Sequence, residues 1–457
     1  MAGIGFRLKK LFKHDTFIDD FRGVLFSTSV AAGPIFFSIL CLGILGIFST
    51  IFLSNQELSV FLVTIVYVFA FSLISTGLTQ LLITRYLSDL IFVNQIHSIL
   101  PTFSAVLAIT VLGQLIIGLP FLFFWQINFL FKMSAFILFI TIGCIWQLMI
   151  FLSAVKNYRV ILYAFVLGLS FSFVLALYLG KHGGLAGFLH GYTIGQLVLL
   201  FILLARVVIE FKSPEKPEFH FLKYLKTMPQ LILIGFCYNL GIWIDKMIFW
   251  FSPHGQKIHS FLYAYSDYDG ATFFAYLTVI PSYTYFLVTV ETDFYSTFRG
   301  FYQAILDKEP FQQITQQKQK IIQSVKRSLV GMIKLQGSIT LICLLFSQQI
   351  AAFFRIPMLG SLILEKALIA TFLQMLLLTI MIFMMYFDIK NQISIVTAVF
   401  LLSNVTFTIL TIKLGYLFFG YGYLFACLLA LIVGYHLLSR HVKDLEYRTF
   451  TGQPIAS

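Results

Sequence analysis

The sequence predicts an all-α, polytopic membrane protein of about twelve transmembrane helices in two six-helix bundles. Three observations carry that expectation. Of the 457 residues, 59% are hydrophobic and only 11% charged, whereas a soluble domain carries about 25% charged residues. Twelve windows of at least 18 residues contain no Asp, Glu, Lys or Arg, and a spanning helix needs about 20 mostly apolar residues. Lys and Arg then divide unevenly between the two sets of loops that these windows define.

In chain order the windows are 23–56, 58–84, 90–131, 133–155, 160–180 and 182–205, then 227–244, 270–290, 335–354, 367–387, 391–412 and 414–439. The third could hold two helices. Its first part contains Asn94, Gln95 and His97, with Pro101 following, so it reads as an interfacial turn before one helix from about 100 to 125. The seventh span runs past its window to about Trp250 and encloses Asp245 and Lys246; the ninth starts near Leu329 and encloses Lys334. Gly33-Pro34 in the first span and Pro281 in the eighth free backbone carbonyls and can kink helices. Segment 206–227, with Pro214, Pro217 and three glutamates, is the longest polar stretch between spans in the first half of the chain. It suggests a cytoplasmic amphipathic N-terminus (1–22), a six-helix bundle (23–205), a cytoplasmic linker (206–227), a second six-helix bundle (228–438) and a cytoplasmic tail (439–457), with a path between the bundles.

With the N-terminus inside, the inner segments hold 23 Lys and Arg and the outer loops 6. That bias places both termini in the cytoplasm and the chain in the cytoplasmic (inner) membrane. It also accounts for the net charge of +12 without nucleic acid, since no basic stretch is long enough to bind one. The first 22 residues are charged and amphipathic and lack the apolar core of a cleavable signal peptide. Cys41, Cys144, Cys237, Cys343 and Cys427 all fall in apolar stretches with no CxxC pair, which reads as small buried hydrophobes and not as disulfides or a zinc site.

Charge inside a membrane is costly and marks function. Asp245 and Lys246, in NLGIWIDKMIFWF, are therefore the foremost candidates for a substrate path, with Asn239 and Gly241 one to two turns earlier. Adjacent helical positions point about 100° apart, so one of the pair would line a cavity while the other meets a neighbouring helix. The competing reading is an interfacial pair with Lys246 snorkelling outward. Pro281, at the kink, and Glu291 and Asp293, at the inner end of the eighth span, complete the path candidates; the two acids read equally as an inner gate or as solvated groups. His190 and His436 read as hydrogen-bonded structural histidines. In the outer loop 252–270, Tyr263, Tyr265 and Tyr268 mingle with Asp267 and Asp269. Rings pack on sugar faces and carboxylates favour a cationic glycan; a plain aromatic interface belt is the alternative. In the inner segment 291–328, Ile314, Ile321, Ile322 and Val325 recur at helical spacing, giving an amphipathic helix for a partner protein or for anionic membrane lipid. There is no GxSxG, HExxH or Gly-rich phosphate loop, so no enzyme activity, cofactor or metal is expected.

The stretches MAGIGFRLKKLF at the N-terminus, NLGIWIDKMIFWFSP at 239–253, FFAYLTVIP at 273–281 and VETDF at 290–294 resemble the PelG family over essentially the whole chain. The resemblance implies the fold of the multidrug/oligosaccharidyl-lipid/polysaccharide flippase superfamily, with two six-helix bundles. It implies export of a growing polysaccharide rich in N-acetylgalactosamine and galactosamine. It implies as partners a cytosolic glycosyltransferase and scaffold proteins, one able to sense cyclic di-GMP. A flippase for lipid-linked oligosaccharides and a cation-coupled small-molecule exporter of the same fold are the competing functions.

Overall fold

A computed structural model describes residues 33–152, 158–213, 216–354 and 356–451. The expected amphipathic N-terminus, 1–22, lies outside the described residues, as do 452–457 of the tail. The described chain is helical apart from one short hairpin, and it forms two compact units, Gly33–Ser266 and a second from Asp267 onward.

In the N-terminal unit, α1 (Gly33–Ser49) packs on α5 (Tyr158–Glu210), and α2 (Asn55–Phe92) is the central helix, in contact with α3 (Ile99–Phe124), α4 (Phe129–Leu152) and α7 (Pro229–Trp250). A capping box starts α2: Ser54 Oγ accepts from Glu57 N at 3.3 Å while the Glu57 carboxylate accepts from Ser54 N at 2.9 Å. The long element α5 (Tyr158–Glu210) turns at Gly184, whose φ of 54° is left-handed and suits glycine. Its halves run antiparallel. A Cβ on Gly187 would collide with the Leu179 carbonyl, one on Gly191 with the Leu175 carbonyl, and one on Gly195 with Ser172. Small residues four apart let two backbones touch in this way. The fifth and sixth expected spans are thus a helical hairpin.

After α5 the chain forms a 3-10 turn (His220–Leu222) and α6 (Lys223–Thr227), then α7. Tyr224 donates from its hydroxyl to Asp89 at 2.8 Å, and Glu218 N donates to Pro101 O at 3.2 Å, so the linker is bound to the end of α2 and the start of α3. Burial, then the Asp89 hydrogen bond, push the Tyr224 phenol up to about 12. The hairpin β1 (Gln256–His259) and β2 (Leu262–Ala264) closes the unit.

The compact units part between Ser266 and Asp267, so the seventh span packs within the N-terminal unit. The cause is the α2–α7 crossing. A Cβ on Gly77 would meet Asn239 and the Gly235 carbonyl, and one on Gly235 would collide with the Gly77 carbonyl. Two bare backbones in contact bind the seventh span to the second.

The second unit opens with α8 (Ser266–Leu277), then α9 (Ile280–Thr289), a π turn (Val290–Phe294), α10 (Tyr295–Leu306) and α11 (Phe311–Leu345). It continues with α12 (Ser347–Phe353), α13 (Met358–Tyr386), α14 (Lys390–Leu414), α15 (Tyr421–Lys443) and α16 (Leu445–Thr451). Its core is the mutual packing of α13, α14 and α15, through Leu368, Phe383, Ile393, Phe400 and Cys427, all fully buried. Among the described residues nine helices are long and apolar enough to cross a membrane, α5 being one of them. Dividing α5 at Gly184, adding the 17-residue α1 and adding the broken α8–α9 gives each of the twelve windows a helix.

Two expectations about the second unit need correction. The eighth span is broken at Thr278-Val279 and not merely kinked, because Pro281 has no N–H for the Leu277 carbonyl. The amphipathic segment before the ninth span is not a separate surface helix. It is the first half of α11, a continuous helix of 35 residues, and α10 folds back on it.

Candidate functional site

The α7 charges lie where the sequence placed them, near the C-terminal end of the helix, but their geometry differs from the expected one. Asp245 is fully buried and Lys246 is 6% exposed. Lys246 Nζ lies 3.4 Å from both carboxylate oxygens of Asp245, donates to Ile242 O at 3.1 Å, and sits 5.7 Å from the Trp243 ring centroid. The ammonium does not reach outward: the long lysine stem folds back along the helix and brings it onto the neighbouring carboxylate. A charge pair so far from water holds through pairing and hydrogen bonds. One turn and a half earlier, Asn239 Nδ2 donates to Gly235 O at 2.9 Å, at the α2–α7 crossing. Gly241 is buried on the same helix.

Around this pair the unit builds an aromatic wall. Trp250 stacks on Tyr67 at 4.7 Å and 15°. The Tyr67 hydroxyl donates to Tyr263 O at 2.9 Å and accepts from Tyr263 N at 3.2 Å, fixing β2 against α2. On the other side of Tyr67 lies a cavity of about 70 Å³, lined by Phe71, Phe121, Trp125, Phe136 and Phe261. Trp125 is 6% exposed and its indole N–H has no partner. Lys132, also at the cavity, donates to Leu122 O at 2.8 Å. Tyr67, Trp125 and Phe261 were not singled out from sequence, because single rings in a chain that is 17% aromatic carry no signal.

The outer-loop candidates separate. Tyr265 stacks on Phe249 at 5.6 Å and is 6% exposed, and Tyr268 is buried, so neither offers a free ring face. Tyr263, Asp267 and Asp269 are half-buried, and burial pushes the Asp267 carboxyl above its ordinary value. In the second unit Pro281 and Asp293 are exposed, Asp293 in the π turn; the Glu291 side chain lies outside the described residues. His190 Nδ1 is 3.0 Å from Ser134 Oγ, a structural hydrogen bond. The docking stripe is corrected. Ile314 and Ile321 are buried inside the chain, with Ile322 and Val325 half-buried, because α10 turns Phe301 and Ala304 inward and lies along α11. Lys318 further ties α11 to the tail, 2.9 Å from Glu446 and 2.7 Å from Lys443 O.

Both units also carry buried neutral polar groups. On α2, Ser75 and Thr79 accept from Gln114 and Gln147 at 2.8 and 2.7 Å. The Oε1 atoms of Gln114, Gln147 and Gln336 and the hydroxyls of Ser282, Ser324 and Ser328 are buried with no partner. No cluster of metal-ligating side chains occurs among the described residues.

The helix arrangement is similar to that of solved multi-span transporters of the MOP superfamily. A multidrug resistance MATE family transporter in an outward-facing conformation aligns over 98% of this chain and 99% of its own at 13% identity, with a TM-score of 0.60. A Vibrio cholerae MATE transporter aligns over 96% and 98% at 13% identity, with a TM-score of 0.67. A MOP superfamily transporter from Pyrococcus furiosus aligns over 92% and 96% at 12% identity, with a TM-score of 0.62. At these identities the likeness shows the fold. A family model narrows the class: PelG, the exopolysaccharide exporters (EPS-E), matches residues 1–450, and the chain belongs to that family. A comparison with curated proteins found no match.

Proposed function

We propose that this protein carries a growing exopolysaccharide outward across the cytoplasmic membrane while a cytosolic glycosyltransferase extends it. The observation that carries the reading is the family match across 1–450. The polar interior supports it. Buried hydroxyls and amides left unpartnered cost free energy, and a polymer rich in hydroxyl groups supplies their partners once the path opens. Asp267 and Asp269 at the outer loop add acids for the amines of a chain rich in galactosamine and N-acetylgalactosamine. Elongation supplies direction, since the sequence holds no nucleotide-binding loop. The glycosyltransferase, and scaffold proteins that include a cyclic di-GMP sensor, dock on segment 206–227 and on the exposed faces of the α10–α11 hairpin.

The Lys/Arg bias puts both termini inside. Lys216 and Lys257 are both exposed. Cysteine at 257 labels with an impermeant thiol reagent in intact cells and cysteine at 216 does not; labelling of both from outside contradicts this topology. The function is tested by deleting the gene in a producing strain. Secreted polymer is lost and returns with the wild-type gene; undiminished secretion would refute the reading.

A further inference from the structure

A groove of about 410 Å³ opens on the second unit, lined by Tyr302 and Leu306 of α10, Phe387 of the α13–α14 turn, His441 at the end of α15, and Arg448 and Thr449 of α16. All six come from segments that the charge bias assigns to the cytoplasm. Its volume lies within the roughly 300–1,000 Å³ usual for small-molecule sites.

Its chemistry selects a ligand. Three rings line it, and two of them, Phe387 and His441, have centroids 5.5 Å apart. Tyr302 packs at 4.8 Å from Phe298, which holds its ring in place. His441 Nδ1 is buried with no partner. Arg448 is the one charged side chain among the described lining residues, and it stands 3.9 Å from Asp444, while Lys390 stands 2.9 Å from Asp388. Asp388 also acts on Tyr302, whose phenol is pushed up first by burial and then by that negative charge. A single cation with an acid beside it is a poor receptor for a phosphate or an anionic lipid headgroup. Ring faces, a phenol, an imidazole and a guanidinium suit a ligand with an apolar face and many hydroxyls.

We propose that this groove is a saccharide subsite, which receives sugar rings of the polymer at the cytoplasmic face before they enter the membrane. The assignment rests on the exporter reading above. Tyr302, half-buried, packs on the rings, with the buried Phe387 behind it, while His441 and Arg448 hydrogen-bond their hydroxyls. Because α10 and α16 also hold the first half of α11, an occupied groove couples the arriving chain to a helix that continues across the membrane.

The test uses the full chain in nanodiscs and an N-acetylgalactosamine tetrasaccharide as probe, with binding followed by saturation-transfer NMR. Tyr302→Ala weakens binding by at least about fivefold. His441→Ala does likewise, His441→Gln keeps most of the binding by restoring a hydrogen-bonding group, and Tyr447→Ala, on an exposed ring outside the groove, changes nothing. Unchanged melting temperatures show that the variants are folded. A wild-type chain that fails to bind, equal binding by all variants, or displacement of the probe by phosphatidylglycerol would each overturn the subsite. In cells, groove variants that secrete normally while gene deletion abolishes secretion would sink the subsite and leave the exporter reading standing. Secretion that survives the deletion removes the exporter reading itself.

Discussion

Asp245 and Lys246 illustrate what a single residue shows in sequence and what it hides. An acid and a base inside an apolar stretch stand out at once, since burying charge is costly. Their mutual pairing did not stand out, because the angle between adjacent helical positions argues against it; only the length of the lysine stem overrides that angle. The burial has a measurable consequence. Asp245→Asn takes the carboxylate away from a buried ammonium and costs up to about 3–5 kcal/mol, as breaking buried pairs does. The double change Asp245→Asn with Lys246→Met removes both charges, and membrane abundance and thermal stability return toward wild type. If the pair also serves the path, secretion stays low in this stable double variant. Full secretion from it would make the pair purely structural. The aromatic cavity at Tyr67 was invisible beforehand, because Tyr67, Trp125 and Phe261 come together only through the packing of α2, α3 and the β-hairpin.

Single elements were more legible. The windows at 160–180 and 182–205 already announced two helices, and the structure joins them through Gly184. The close contact was also written there, as Gly187, Gly191 and Gly195 four apart, but span counting weighs hydrophobicity and overlooks small residues. Gly191→Leu drives a side chain into the Leu175 carbonyl, which is backbone and cannot rotate away. The variant loses more than the roughly 1–3 kcal/mol of ordinary overpacking and accumulates poorly in the membrane. Gly183→Ala, where a Cβ meets open space, accumulates normally. Equal abundance of the two would contradict the hairpin. The amphipathic stretch at 311–328 misled for a different reason. A stripe such as Ile314 and Ile321 shows that a face is buried without saying against what, and α10 of the same chain covers it.

For the whole molecule, composition fixed the class, since 59% hydrophobic residues with 11% charged leave few alternatives to a membrane bundle. The boundary between compact units was not legible. Linker polarity points to 206–227, whereas the Gly77–Gly235 approach carries the seventh span into the N-terminal unit. The family match and the MOP fold make the protein an exporter by class, and the central claim is that it moves the polymer while another chain makes it. Inverted membrane vesicles test that claim directly. They would contain the glycosyltransferase with or without this protein, be fed radiolabelled nucleotide sugar, and then be treated with an external glycosidase. Polymer protected inside the lumen is predicted only when this protein is present, with total synthesis requiring the glycosyltransferase alone. Equal protection without it would contradict the account.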